Sequence, residues 1–160
     1  MHHAANWIAE LGLSQNPEGG YFRQYHAADF PGGPRTRPLI TVIYYLLTSE
    51  APRARMHRSS ADGLHFHHAG GVLRVHSLAP DGEHRAELLG PPHAFQVVVP
   101  GGRWKAIELV EGPWALISEA VVPGWSPDDH CSADARVLER LSPAKRELLA
   151  PFVPSVGGGA

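Results

Sequence analysis

The chain has 160 residues, with fourteen Lys and Arg against sixteen Asp and Glu and a formal charge of −2. A near balance without any basic run excludes the electrostatic footprint of a nucleic-acid or membrane-surface binder and leaves a small polar metabolite as the expected partner. The length suits one domain spanning 1–160. No apolar stretch nears the roughly 20 residues of a membrane helix, and the start MHHAANWIAELGL lacks a secretory signal, so a cytoplasmic location is expected.

In chain order, Asn6 to Leu13 reads as a short amphipathic helix stopped by Gly12, and NPEGG supplies turn chemistry. Eight strand patterns follow: Tyr21 to His26, Pro38 to Thr48, Gly63 to His68, Val72 to Ala79, His84 to Gly90, Phe95 to Val99, Trp104 to Val110 and Trp114 to Val122. The joints between them, among them PGGP, AGG, APDGEH, GPPH, PGG and EGP, are short. That spacing predicts an antiparallel sandwich or barrel. The single Cys131 excludes an internal disulfide and is read as a bystander. Beyond VVPGW, Ala133 to Leu141 has helical periodicity, and Ser142-Pro143 caps a further helix over Ala144 to Leu149. The tail 155–160, SVGGGA, is expected to fray. No repeat or linker breaks the chain.

Chemistry concentrates in MHRSSADGLHFHHAGG, where His57, His65, His67 and His68 fall within twelve residues. Strand alternation sends His65 and His67 to one face and His68 to the other. Glu119 interrupts the apolar WALISEAVV, and a carboxylate there needs a cation or donors if buried. The competing reading has His65 and His67 hydrogen-bonded in the core and Glu119 exposed. In PEGGYFRQ, Tyr21 and Arg23 share a strand face; Arg23 offers a rigid fork of donors, and Glu18 either accepts from a ligand or pairs with Arg23. Tyr44 can present a hydroxyl while its ring packs, and Gln96 is a lone amide among apolar neighbours. Arg58, His76, His84 and His93 receive no role. No phosphate-cradling loop, G-x-S-x-G elbow or H-E-x-x-H pair is present.

Five blocks, NPEGGYFRQ, ITVIYYLL, His57-Arg58 with a strand ending in Ala69-Gly70, VVPGG-x-W and VVPGW, run in that order between Leu13 and Leu141. Together they resemble the small cupin subfamily long catalogued as a domain of unknown function. The resemblance implies an all-β jelly-roll β-barrel (a double-stranded β-helix) with a short N-terminal helix and C-terminal helices, paired into a homodimer, with a ligand pocket in the barrel mouth. Metal-binding cupins place two histidines and a glutamate on one strand pair and a third histidine on a later strand. Matched to that pattern, His57 holds the first position, but Ser59 and Gly63 stand at the second histidine and the glutamate, and the late histidine falls near Lys105. The usual metal is therefore not expected.

A compensating arrangement stays open. If position 63 faces the interior, as the glutamate of metal cupins does, alternation turns His65 and His67 inward toward His57, with Glu119 as partner. Those three histidines then form the candidate ligand set for one divalent metal, and His57, His65, His67, Glu119, Tyr21, Arg23 and Gln96 the candidate ligand-binding set. Two functions follow. One is an isomerase, epimerase or lyase using His57 with Tyr44 in acid-base chemistry, since sugar-nucleotide epimerases of this barrel type use histidine and tyrosine without metal. The other is a non-enzymatic small-metabolite binder.

Overall fold

The computed structural model describes residues 3–31 and 37–154; the tail 155–160 lies outside them. Helix α1 (Ala4–Leu11) ends at Gly12, whose φ of 61° supplies the left-handed C-cap. It begins and ends two residues earlier than the sequence predicts.

Nine strands follow: β1 (Ser14–Gln15), β2 (Tyr21–Ala28), β3 (Ile40–Thr48), β4 (Arg53–Arg58), β5 (Asp62–Leu78), β6 (His84–Leu89), β7 (Gln96–Val99), β8 (Trp104–Val122) and β9 (Cys131–Ser132). The path β1-β2-β3-β8-β4-β9 is joined by β5, which pairs with β6, β7 and β8. Every pairing between these nine strands is antiparallel.

Two corrections to the strand pattern explain how this sheet curls. AGG and EGP are not turns between strands. They are bends within β5 and β8, which stay paired from Asp62↔Val122 to Leu78↔Trp104 with register shifts around Gly70 to Leu73. The first half of this ribbon is flanked by β3 and β7 and the second by β4 and β6, so one bend carries the sheet from one wall to the other. The second correction is β4, absent from the eight patterns because RARMHR alternates charge with small or apolar groups over a short run.

The enclosed face holds the main core, with Tyr45, Leu47, Leu73, Val75, Leu89, Val97, Ile107 and Ile117 buried together. On the outside of β3 and β8, α1 lays Trp7, Ile8 and Leu11 over Leu46, Leu116 and Trp114. At the other end of the ribbon, Leu138, Leu141, Leu149 and Phe152 cover Met56, Leu78 and Ala106. There α2 (Arg136–Glu139) is shorter than the predicted Ala133 to Leu141, and α3 (Pro143–Leu149) begins where Ser142-Pro143 places it. His76 is buried under this cap, against Phe152, with its Nδ1 3.1 Å from His84.

Candidate functional site

A cavity of about 430 Å³ opens at one end of the enclosed face. Phe22, Ile43, Val99, Ile107 and Val121 give it apolar walls, and Glu18, His57, Lys105, Glu119 and His130 gather chemistry on its surface. The local fold explains each placement. In NPEGG, the Glu18 amide donates to Asn16 Oδ1 and the Gly19 amide to the Asn16 carbonyl. Gly19 has φ 113°, and a Cβ there would lie 2.1 Å from the Arg53 carbonyl, so only glycine lets this turn press against β4. The Arg55 amide then donates to the Glu18 carbonyl at 2.7 Å, bringing Glu18 alongside His57.

His57 Nδ1 lies 2.8 Å from Glu18 Oε2 and 3.0 Å from the Arg55 carbonyl. Both neighbours only accept, so the ring proton sits on Nδ1, and Nε2 carries the lone pair of the neutral ring. On the other side of Glu18, His130 Nε2 approaches Oε1 at 2.7 Å, and the two imidazole rings stand 5.2 Å apart. That approach is close but misaligned, leaving Oε1 buried without a hydrogen-bond donor. Burial works to raise the Glu18 pKa; His57, His130 and Lys105 overcome it and hold the carboxyl below its ordinary range.

Lys105 is the cross-strand neighbour of His57, and its ammonium is hydrogen-bonded to Glu119 Oε1. Burial alone would raise the Glu119 pKa, but Lys105, with His65 and His57, brings it down to about 2. His65 lies beneath this pair, fully buried, with Nδ1 3.3 Å from the Val97 carbonyl and Nε2 3.6 Å from Glu119 Oε1. Burial pushes its imidazole down to about 4, so it stands neutral.

The structure thus brings His57, Glu119 and, one layer deeper, His65 to the same end of the barrel. It does not bring the rest of the candidate set there. His67 shares the inward face with His65, but alternation fixes the face and not the depth. Four residues at about 3.3 Å each carry it some 13 Å along from position 63. There Nε2 meets the Gly71 carbonyl at 3.0 Å, beside Gly90. Tyr44 points outward, edge-on to Tyr25 at 5.4 Å and His68 at 6.0 Å; it is Tyr45 that faces the cavity, its hydroxyl donating to the Gly19 carbonyl at 2.6 Å. Tyr21 packs outside with α1, and Arg23 donates to the Leu11 carbonyl at 3.0 Å, while Phe22 and Gln24 face inward. Gln96 is exposed, because Val97 and Val99 are the inward members of β7.

Two participants carried a weak signal or none. Lys105 was visible only as a departure from the late histidine of the resemblance. His130 lies in a loop after VVPGW, and no local pattern marks it.

The residues present do not fit a cupin-type divalent metal. Ser59 Oγ donates to Asp129 Oδ2 at 2.7 Å. A Cβ on Gly63 would meet Glu119 Oε1 at 3.1 Å and lie 3.7 Å from Lys105 Nζ, so the space of the missing glutamate belongs to the Lys105–Glu119 pair. An ammonium therefore occupies the region where a divalent cation would gather its ligands, and the two would repel. The compensating set His57, His65 and His67 does not converge, and among the described residues no three His, Cys, Asp or Glu side chains are arranged to hold a metal ion.

A family model described as "Cupin superfamily (DUF985)" matches residues 5–133. An uncharacterized protein of Saccharomyces cerevisiae is 32% identical over 144 residues, 77% of this chain and 71% of that protein. A crystal structure of a protein from Shewanella oneidensis has a TM-score of 0.86 at 26% identity, covering 96% of this chain and 99% of that one. A hypothetical protein from Leishmania major gives 0.81 at 27% identity over 95% and 99% of the two chains. Oxalate decarboxylase from Bacillus subtilis matches in fold alone, with a TM-score of 0.56 at 15% identity over 88% of this chain and 34% of that one. Among the described residues no helix is long and apolar enough to cross a membrane.

Proposed function

We propose that this chain, which belongs to the DUF985 family of the cupin superfamily, is a metal-free proton-transfer enzyme that isomerises or epimerises a small carbonyl compound inside its jelly-roll barrel. One observation carries the reading: Glu18 and the Arg55 carbonyl hold the proton of His57 on Nδ1, leaving the Nε2 lone pair to a cavity whose neighbouring cation is Lys105.

In this scheme His57 Nε2 removes a proton from the carbon next to the carbonyl, and Glu18 stabilises the imidazolium that forms. The electron pair moves onto the carbonyl oxygen. Lys105, with three N–H donors of which Glu119 takes one, offers a hydrogen bond to that developing oxyanion. The imidazolium then returns the proton either to the opposite face of the same carbon once the enolate has turned over, or, for an α-hydroxy carbonyl, to the former carbonyl carbon while the hydroxyl proton passes to the oxyanion. In both cases His57 is restored. The same proposal includes a cytoplasmic location and a homodimer built on the outer face of the sheet.

Solvent exchange tests the chemistry. Aldoses, ketoses and hydroxy-ketones incubated in D₂O with the wild-type chain are expected to take up deuterium next to the carbonyl, with or without a chelator. His57→Gln is expected to slow exchange at least about a hundredfold. Exchange that needs added divalent metal, or that His57→Gln leaves unchanged, overturns the proposal. Saturable binding without exchange favours the non-enzymatic reading of the same cavity.

A further inference from the structure

Charge and the polarity of its walls define what this cavity can hold. Among the described residues its wall carries two permanent cations, and both are already neutralised, Lys105 by Glu119 and Arg103 by Glu83 at 2.9 Å. Glu18 is paired directly with imidazoles alone, those of His57 and His130. A phosphate or carboxylate brought here would meet two carboxylates in a poorly solvated space with no unpaired cation to receive it. A neutral hydroxyl meets no such penalty, since it can donate to a carboxylate or an imidazole nitrogen and accept from the Lys105 ammonium on the same wall.

The remaining walls suit the same molecule. Trp125 lines the cavity yet is 46% exposed, so its flat ring forms part of the rim, and Phe22 extends the apolar wall inward. Asn16 and Gln24 add amides that both donate and accept. A sugar ring presents apolar C–H faces and hydroxyl edges in that combination. The volume of about 430 Å³ lies at the small end for ligand pockets.

Resting on the reading of this cavity as the ligand site, we infer that it takes a neutral, polyhydroxylated molecule of about monosaccharide size and discriminates against phosphorylated, nucleotide-linked and carboxylate counterparts. Glu18 is the selecting residue and Trp125 the stacking platform.

The test is calorimetric or NMR titration of the full chain with glucose, galactose, rhamnose, xylose and inositol, beside glucose 6-phosphate, gluconate and UDP-glucose. At least one neutral member is expected to bind saturably, with the charged compounds at least about tenfold weaker. Trp125→Ala is expected to weaken that binding about tenfold or more and Trp125→Phe to restore most of it, with melting temperatures unchanged. A charged compound binding as tightly as the best neutral one, or no binding by any neutral member, overturns the inference. Neutral-sugar binding without deuterium exchange leaves this inference standing and removes the proton-transfer reading, so the two failures are distinguishable.

Discussion

Lys105 and Glu119 stabilise one another only as a pair. Lys105→Met leaves a buried carboxylate without its cation and is expected to cost about 3–5 kcal/mol, whereas Lys105→Met with Glu119→Leu should recover most of that loss. Urea unfolding of the two variants checks this; a single variant as stable as wild type would show that water reaches Glu119. The same cluster sets the response to acid. The folded His65 pKa, about 4, is depressed from an ordinary 6.5, so its contribution is complete above pH 6.5 and is lost as pH falls through about 4. Glu119, depressed from 4.5 to about 2, follows at lower pH, its contribution complete above 4.5 and lost toward 2. His65→Asn, which keeps a donor for the Val97 carbonyl, is therefore expected to flatten the decline in stability between pH 6.5 and 4, read from urea midpoints across that window. His57 and Glu119 were legible in the sequence as chemistry-bearing groups at the right end of the fold. The tyrosines were not: ITVIYYLLT is apolar on both faces, because α1 covers its outer side, and alternation then says that Tyr44 and Tyr45 differ without saying which one looks inward.

At the scale of elements, the ribbon of β5 and β8 positions everything else, since its first half carries Gly63, His65 and Glu119 and its second half Lys105. The bend that makes this possible is built on glycine. A Cβ on Gly71 would lie 1.7 Å from the Glu111 carbonyl, inside the opposing backbone, and Gly70 and Gly112 adopt φ of 92° and 83°. Gly71→Ala must force the two strands apart and is expected to lose more than about 3 kcal/mol. Gly102→Ala is the contrasting control. It has positive φ, 82°, which Gly71 lacks, but its Cβ would meet nothing within 4 Å, so only the left-handed backbone cost of about 1–2 kcal/mol is expected. Equal losses in urea unfolding would show that the bend at Gly71 has slack. These glycines were visible in the sequence as punctuation, and AGG and EGP read as turns, because a glycine that ends a strand and one that bends it have the same local pattern. The distinction lies in the partner strand, which no local window contains.

For the whole molecule, the same sheet that encloses the cavity presents an apolar face outward. Across β7, β5, β8, β3 and β2 one row runs Val98, Leu64, Ala120, Val42, His26, and the next runs Gln96, Phe66, Ser118, Tyr44, Arg23. Val98 is 49% exposed at one margin and Tyr25 69% exposed at the other, and beyond the strip of β2, β3 and β8 that α1 covers the face is open. Its rows carry few charges and no strong polarity of sign, which suits a two-fold contact in which the same residues meet from both sides. A stable contact of that kind buries roughly 1,200–2,000 Å² in total, an area within the compass of a five-stranded face. Sedimentation should therefore give twice the 17.3 kDa chain mass for the wild type. Val98→Lys combined with Tyr25→Lys, both at exposed positions, is expected to shift the protein to monomer without lowering the melting temperature of the fold by more than a few degrees. A wild-type chain that sediments as monomer at every concentration, or a double variant that remains dimeric, would assign this face to solvent and place any pairing elsewhere.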